Sequence, residues 1–278
     1  MQSALRSALA ALVLSAPMGV FAQDLPPALA RQFTQGVEAL KAGQLDRAEA
    51  AFRHVLARGG DRAFVHHNLG IVHQQRNRHV EALAEFRAAS RLDPAFGPPR
   101  LLAGSSLLAL GRAEEAVAEL ERAVRLLPGQ KAAHLQLADA CEQAGNVPCL
   151  VRQSRILAGF APSDPEYTYR LGKAYLRLSE WSYKRILAID PRSARLSEAL
   201  GREYLQQGQP ELALREYQQA AERDPALPGI HLALARIHAD ALRWDDASRE
   251  VERELAVAPG SAAALELKAR VEAARTAR

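Results

Sequence analysis

The sequence predicts an all-α protein built from a repeated pair of helices, and two observations support this prediction. Hydrophobic residues make up 48% of the chain but aromatic residues only 5%, so Ala and Leu must supply most of the core. Helices lined with Ala and Leu can approach one another closely. The second observation is a period of 34 residues, which is the sequence signature of a repeat architecture. Its markers are Gly60, Pro94, Pro128, Pro162, Pro191, Pro225 and Pro259, and only the interval from Pro162 to Pro191 is shorter.

Residues 194–227 contain the clearest copy of the repeat. Its marker residues are Leu200, Gly201, Tyr204, Gly208, Ala213, Tyr217, Ala220 and Pro225. This spacing indicates a helix, a tight turn and a second helix, and it resembles a tetratricopeptide repeat. The resemblance implies a right-handed superhelical solenoid of antiparallel helix pairs. It would contain about six full units, one unit that lacks its turn, and a C-terminal capping helix.

Residues 1–22 are predicted to be a cleaved secretory signal peptide. Arg6 gives a basic start, an apolar run extends from Ala8 to Val20, and the proposed cleavage follows Ala22. An uncleaved anchor is the alternative, but Ser15 and Pro17 interrupt the run, which is shorter than the roughly 20 residues that span a bilayer. We therefore expect a periplasmic or secreted chain without a membrane span after cleavage.

The predicted repeat units then follow in order. Units one to four occupy residues 23–164, unit five residues 165–193, and units six and seven residues 194–261. Unit one has Gln32 and Gln35 where apolar residues are expected, as is common in a terminal unit. In units two and three, Gly70 and Gly104 let the paired helices approach. Residues 262–278 form a one-sided helix that is expected to cap the core.

Unit five is five residues shorter than its neighbours. The residues in the register of a first helix are Leu171, Gly172 and Tyr175, and those in the register of a second helix are Ser179, Tyr183 and Ile186. The two registers meet between Leu178 and Ser179, so the missing residues are those of the turn. Apolar positions continue across this junction at helical spacing, which predicts one helix of more than 20 residues. The alternative is a hairpin with a tight turn at Ser179 and Glu180.

Four histidines are the candidate ligands of a metal site. They are His66, His67, His73 and His79. The adjacent His66 and His67 point about 100° apart on a helix, and neither Cys nor an acidic ligand completes the spacing. We interpret His66 and His73 as flat, half-buried side chains that replace aromatic residues, and we expect no metal and no cofactor. A metal or small-ligand carrier is kept as an alternative function.

Cys141 and Cys149 are the only cysteines, and one lies in each helix of unit four. Antiparallel helices bring these two positions to about the same height, so a disulfide is one interpretation. Two small buried thiols are the other.

The sequence contains no pattern that indicates catalysis or nucleic-acid binding. Gly-rich phosphate loops, nucleophile elbows and haem-attachment spacings are missing from the sequence, and repeats fill the chain after residue 22. We therefore expect no enzyme. The 36 basic and 32 acidic residues are interleaved, which is typical of solvated helix faces rather than of a strip that binds phosphates.

The resemblance also implies a concave groove lined by the first helix of each unit. The groove candidates are Phe33, Phe64, His67, Ile71, Leu101, Tyr169, Lys173, Arg177, Arg202 and Arg236. The first half of this set is apolar and the second half basic, so a peptide with an apolar end and an acidic end would fit. The sequence thus predicts an exported, non-enzymatic adaptor for a protein or peptide of unknown identity. Self-association through the open ends of the array is a further alternative.

Overall fold

The computed structural model describes residues 24–276, so the predicted signal peptide lies outside the described part of the chain. Residues 24–276 form fourteen α-helices and no strand. The chain divides after Leu178 into two compact units. Within the described residues, no helix combines the length and the apolar character that crossing a lipid bilayer requires.

The first compact unit contains eight helices and the beginning of a ninth. They are α1 (Pro27–Lys41), α2 (Leu45–Ala57), α3 (Ala63–Gln75), α4 (His79–Leu92), α5 (Gly97–Ala109), α6 (Ala113–Leu126), α7 (Lys131–Gln143), α8 (Val147–Phe160) and α9 (Pro165–Ile189). The second compact unit contains the end of α9 and five helices. These are α10 (Ala194–Gln206), α11 (Pro210–Arg223), α12 (Ile230–Asp240), α13 (Trp244–Val257) and α14 (Ala262–Thr276).

Consecutive helices pack as antiparallel pairs, and α7 with α8 shows this directly. A disulfide joins Cys141 to Cys149 across the turn, with the Cα atoms 5.8 Å apart. Farther from the turn, His134 Nδ1 lies 2.8 Å from Gln153 Oε1. His134 comes before Cys141 in α7, and Gln153 comes after Cys149 in α8. Both contacts can form only if the two helices run in opposite directions.

Glycines in the first helix of a pair allow close packing against the second helix. A Cβ atom at Gly104 would lie 2.3 Å from Leu120 Cγ, which is far closer than two carbon atoms can approach. The residue that occupies the space stands 16 positions after the glycine in each case. The pairs are Gly36 with Phe52, Gly70 with Phe86, Gly104 with Leu120, and Gly201 with Tyr217. The repeat therefore places one small residue and one large residue at a fixed offset.

The turn between paired helices contains one residue with a left-handed backbone. Glycine takes this position at Gly43, Gly111, Gly145 and Gly208, whereas Asn77 and Leu242 take it with φ angles of 57° and 58°. Glycine adopts this conformation without a steric cost, and Asn tolerates it better than most residues. Leu242 is therefore strained, and its side chain is 59% exposed.

We expect Leu242→Gly to raise the free energy of unfolding by roughly 0.5–1 kcal/mol, because the left-handed strain outweighs the extra entropy of Gly in the unfolded chain. Urea unfolding followed by circular dichroism measures the change. Gly208→Leu places the same strain in the equivalent turn of α10 and α11, so it should lower stability. A less stable Leu242→Gly protein would contradict the prediction.

Helix α12 begins with a cap that comes from the neighbouring helix. Gly229 precedes the helix with a φ angle of 89°, and its N–H donates to Glu254 Oε1 of α13 at 2.9 Å. The N–H of Leu232 donates to the same carboxylate at 3.2 Å. Glu254 is only 2% exposed, so its charge faces the N–H groups at the positive end of α12.

Helix α9 is a single element of 25 residues without a break at Ser179 or Glu180. It differs from the other helices in its burial, because Tyr167 and Ala174 are its only buried residues. The boundary between the two compact units falls between Leu178 and Ser179, where the two repeat registers meet in the sequence.

Candidate functional site

A cleft of about 250 Å³ lies in the first compact unit between α7, α8 and the beginning of α9. Its floor is apolar, and its walls carry acidic, basic and aromatic side chains. The lining residues are Ala138, Asp139, Glu142, Leu150, Ser154, Leu157, Glu166, Tyr169, Arg170, Lys173, Ala174 and Arg177.

Helical spacing brings these side chains to one side of their helices. On α9, Glu166, Tyr169, Lys173 and Arg177 follow one another at intervals of three or four residues, so they share a face. Ala174 of α9 is 1% exposed and belongs to the hydrophobic core cluster of the first compact unit. The charged residues of α9 in the cleft therefore lie beside a residue that is buried in the core.

Ion pairs neutralise two of the three cations in the cleft. Arg177 Nη1 lies 2.7 Å from Glu142 Oε1. Arg170 lies 3.0 Å from Glu166 and 3.5 Å from Asp139. Burial raises the pKa of Asp139, and the Arg170 guanidinium opposes part of that rise.

Lys173 is the cation of the cleft that no carboxylate neutralises within the described residues. Its Nζ lies 5.7 Å from the centroid of the Tyr169 ring, which gives a cation–π contact. Both side chains are open to solvent, and Tyr169 is 63% exposed. The site thus offers an ammonium group and an aromatic face beside an apolar floor.

The size of the cleft limits what it can hold. Pockets for small molecules and cofactors commonly measure about 300–1,000 Å³. A cleft of about 250 Å³ is suited to one or two side chains of a partner.

A larger depression of about 690 Å³ lies between α1 and α2, but it has no comparable chemistry. It includes Gln32 and Gln35, the polar residues that distinguish unit one in the sequence. Its lining has no aromatic residue except His54 and no convergent set of charges, so we do not consider it the functional site.

Three of the sequence-predicted groove residues lie in the cleft, namely Tyr169, Lys173 and Arg177. The first five candidates are buried inside the first compact unit, each at most 7% exposed; they are Phe33, Phe64, His67, Ile71 and Leu101. Consecutive pairs pack too closely to leave these positions open. For example, the rings of Phe33 and Phe64 meet at 4.9 Å.

The two remaining groove candidates belong to the second compact unit. Arg202 and Arg236 are both exposed there. Arg202 Nη2 donates to Glu198 Oε1 at 2.8 Å, so its charge is partly neutralised.

Sequence reasoning missed the floor of the cleft and one of its cations. Leu150 and Leu157 are buried residues of α8 whose contact with α9 depends on how consecutive pairs pack. A signal existed for Arg170, because it stands four residues after Glu166 and such a pair favours a shared helix face.

The four candidate metal-binding histidines have separate environments. His66 Nδ1 lies 2.5 Å from Glu85 Oε2 and His66 Nε2 lies 2.8 Å from Asp61 Oδ1, and these carboxylates raise the pKa of His66. His67 is buried beside Phe96, at 5.0 Å between the rings. Residues 24–276 contain no group of three or more His, Cys, Asp or Glu side chains that could hold a metal ion. The structure therefore does not assemble His66, His67, His73 and His79 into one ligand set.

A chain of antiparallel helix pairs with a cleft between consecutive pairs defines a helical-repeat protein, a class that generally serves as a non-enzymatic scaffold. Two family models, both described as tetratricopeptide repeat, match the sequence. One matches residues 33–95 and 101–148, and the other matches residues 204–271. The chain belongs to the tetratricopeptide repeat family, whose fold commonly mediates binding of proteins or peptides.

Two solved structures of low sequence identity share this fold. A tetratricopeptide repeat protein from Parabacteroides merdae is 12% identical with a TM-score of 0.50, over 89% of this chain and 100% of that chain. A chain in the structure of Naa15/Naa10 bound to HypK-THB is 16% identical with a TM-score of 0.50, over 88% of this chain and 39% of that chain. A chain of the APC/C hetero-tetramer Cut9-Hcn1 is 19% identical with a TM-score of 0.42, over 85% of this chain. This chain spans about half, 48%, of its length. No curated protein matches the sequence.

Proposed function

We propose that the protein is an exported, non-enzymatic scaffold that binds an acidic segment of a protein partner at the cleft between α7, α8 and α9. The observation that carries this proposal is Lys173, an exposed cation with an aromatic neighbour and no carboxylate partner among residues 24–276. Family membership supports it, since the fold commonly mediates protein or peptide binding.

The chemistry of the cleft selects the partner. A carboxylate of the partner gains a charge-assisted hydrogen bond from Lys173 without first displacing an internal ion pair. An apolar or aromatic side chain next to it contacts the exposed Tyr169 ring and reaches toward Leu150 and Leu157. A basic segment is disfavoured because it would place a like charge beside Lys173. An acidic segment that also carries an apolar residue therefore fits best.

Two observations support export. The first is the signal-like composition of residues 1–22. The second is the disulfide between Cys141 and Cys149, because such bonds persist in oxidising compartments. N-terminal sequencing of the protein from its native host tests export, and a mature chain that begins at Met1 would contradict it.

The ion pairs of the cleft also suit a surface that binds a partner. The titratable residues of the cleft are mostly engaged in ion pairs, as Arg170 is with Glu166 and Arg177 with Glu142. Such pairs hold the side chains of the surface in place.

We expect Lys173→Glu to weaken partner binding at least tenfold, because it places a like charge against the acidic segment. The partner is first captured from the host with the intact protein, and overlapping peptides of that partner are then titrated by fluorescence anisotropy. Arg125→Glu is the matched control, since Arg125 is an exposed cation of α6 outside the cleft. Equal loss in both variants, or none in Lys173→Glu, would rule out this cleft as the binding site.

A further inference from the structure

We propose that α9 pairs in antiparallel orientation with α9 of a second copy of this chain, so that each copy completes the unfinished helix pair of the other. The occupant of this surface is thus the same protein. The proposal is independent of the partner bound in the cleft.

The repeat register identifies two residues that should touch. In four complete pairs, a glycine of the first helix packs against a large residue 16 positions later, as Gly201 does against Tyr217. Gly172 is the equivalent glycine in α9. Because this unit lacks the five residues of the turn, the equivalent large residue stands 11 positions later and is Tyr183.

Gly172 and Tyr183 cannot meet within one chain. They lie on the same continuous helix, about 16 Å apart along its axis at about 1.5 Å per residue. Among the described residues, and leaving aside the adjacent residues and backbone of α9 itself, no atom lies within 4 Å of the point where a Cβ of Gly172 would be. At the four equivalent glycines the nearest atom lies between 2.3 and 2.9 Å away. Gly172 therefore has the residue type for close packing but no neighbour that uses it.

A stripe without charge surrounds these two residues. The positions of α9 that face inward in a complete pair are Thr168, Leu171, Gly172, Tyr175, Ser179, Tyr183 and Ile186. They recur at intervals of one, three or four residues, so they form one continuous face of the helix. None is charged, although α9 contains seven charged residues.

This stripe is more exposed than its counterparts elsewhere. Tyr175 is 41% exposed, whereas His73 at the equivalent position of α3 is 3% exposed. Tyr183 is partly exposed, whereas its equivalents Phe52 and Phe86 are fully buried. Apolar positions that the other pairs bury are thus only partly covered in α9, where the Tyr175 hydroxyl accepts a hydrogen bond from Arg155 of α8 at 3.1 Å.

A second α9 fits this stripe by symmetry. If a two-fold axis passes between Arg177 and Leu178, Gly172 of each copy faces Tyr183 of the other, and the contact occurs twice. Loss of the turn in a hairpin commonly favours pairing between two copies of a chain, because the shortened connection can no longer reverse the chain direction. The same contacts that close the other pairs then form between molecules.

The proposed interface leaves the cleft accessible. Viewed along the helix, Lys173 and Arg177 point about 100° and 140° to one side of Gly172. Tyr175 and Ser179 of the stripe point to the other side of Gly172. A dimer can therefore bind partners at both of its clefts.

The first test measures mass by light scattering coupled to size-exclusion chromatography. We expect the intact protein to have twice the mass of one chain. Inserting Gly-Gln-Pro-Glu-Leu between Leu178 and Ser179 copies residues 208–212 and restores the 34-residue repeat. This variant should close its own pair and have half the mass of the intact protein. A monomeric intact protein, or an insertion variant that remains dimeric, would overturn the proposal.

The second test locates the contact and does not depend on the folding of the insertion variant. The double variant Gly172→Cys with Tyr183→Cys should form a covalent dimer on a non-reducing gel, since the two positions of one chain are too far apart to bond. Gly172→Cys alone is the control and should remain uncross-linked, because the two copies of residue 172 lie about 16 Å apart along the paired helices. A dimer in which the double variant does not cross-link would contradict this pairing.

Discussion

Replacing Gly104 by Ala is expected to lower the free energy of unfolding by about 3 kcal/mol, although it adds only one methyl group. The new carbon would lie 2.3, 2.6 and 2.9 Å from three side-chain carbons of Leu120. Leu120 is fully buried, so its side chain has no open space to move into. The two helices of the pair must separate, and the contacts along both of them weaken. Urea unfolding monitored by circular dichroism measures the loss.

Two further variants separate this clash from the general effect of replacing a glycine. Gly129→Ala is the control, because a Cβ there has no neighbour within 4 Å, and it should change stability by less than about 0.5 kcal/mol. Leu120→Ala removes the clashing side chain, so combining it with Gly104→Ala should cost less than the two single changes added together. A fully additive double variant would show that the two residues do not interact.

The helix pairs were predictable from the sequence because they depend on local spacing. Leu200 and Gly201 with Tyr217 predict a close-packed pair, and Gly201 does lie against Tyr217 in the structure. The place where the two repeat registers meet, between Leu178 and Ser179, was also predictable, because a register follows from counting residues. Such features need no knowledge of how successive pairs are arranged.

The open surface was less predictable because it depends on the packing between pairs. Gln74 of α3 donates to Ser106 Oγ of α5 at 3.2 Å, so these two helices lie close together. Phe64 is buried with its ring 4.9 Å from that of Phe33 in α1, and Ile71 is also buried, although the resemblance placed both in a groove. Tyr169 and Lys173 occupy the positions in α9 that His67 and Ile71 occupy in α3, yet they are exposed. Whether a groove position is buried or exposed depends on the distances between consecutive helix pairs. The repeat pattern in the sequence does not specify these distances.

Lowering the pH is expected to destabilise the protein through His67. Burial lowers the pKa of His67 to about 3 from its ordinary value of 6.5. Its ring is enclosed near Phe86 and Phe96, and its Nδ1 has no hydrogen-bond partner within residues 24–276. Below pH 6.5 the unfolded chain gains a proton on this side chain, but the folded chain does not until about pH 3. Stability is therefore present above pH 6.5 and is lost as the pH falls toward 3.

We expect the titration of His67 alone to lower the free energy of unfolding by on the order of 3 kcal/mol between pH 7 and pH 4. His67→Phe removes the titration and keeps a flat ring in the same place. As the pH falls from 7 to 4, the unmodified protein should thus lose about 3 kcal/mol more unfolding free energy than His67→Phe loses. Urea unfolding at pH 7, 5.5 and 4 measures it. Any overpacking by the larger ring shifts the difference equally at every pH and leaves its slope unchanged.

The neighbouring His66 provides a control of opposite sign. Its hydrogen bond to Glu85 raises its pKa, so the stability that its protonation contributes is fully present below pH 6.5 and is lost as the pH rises through the raised value. His66→Gln should therefore be most harmful at low pH, where His67→Phe is most beneficial. These two residues are adjacent in sequence but differ in burial and in hydrogen bonding. If the two variants respond to pH in the same direction, these environments do not control the titration, and the assignment of acid sensitivity to His67 is wrong.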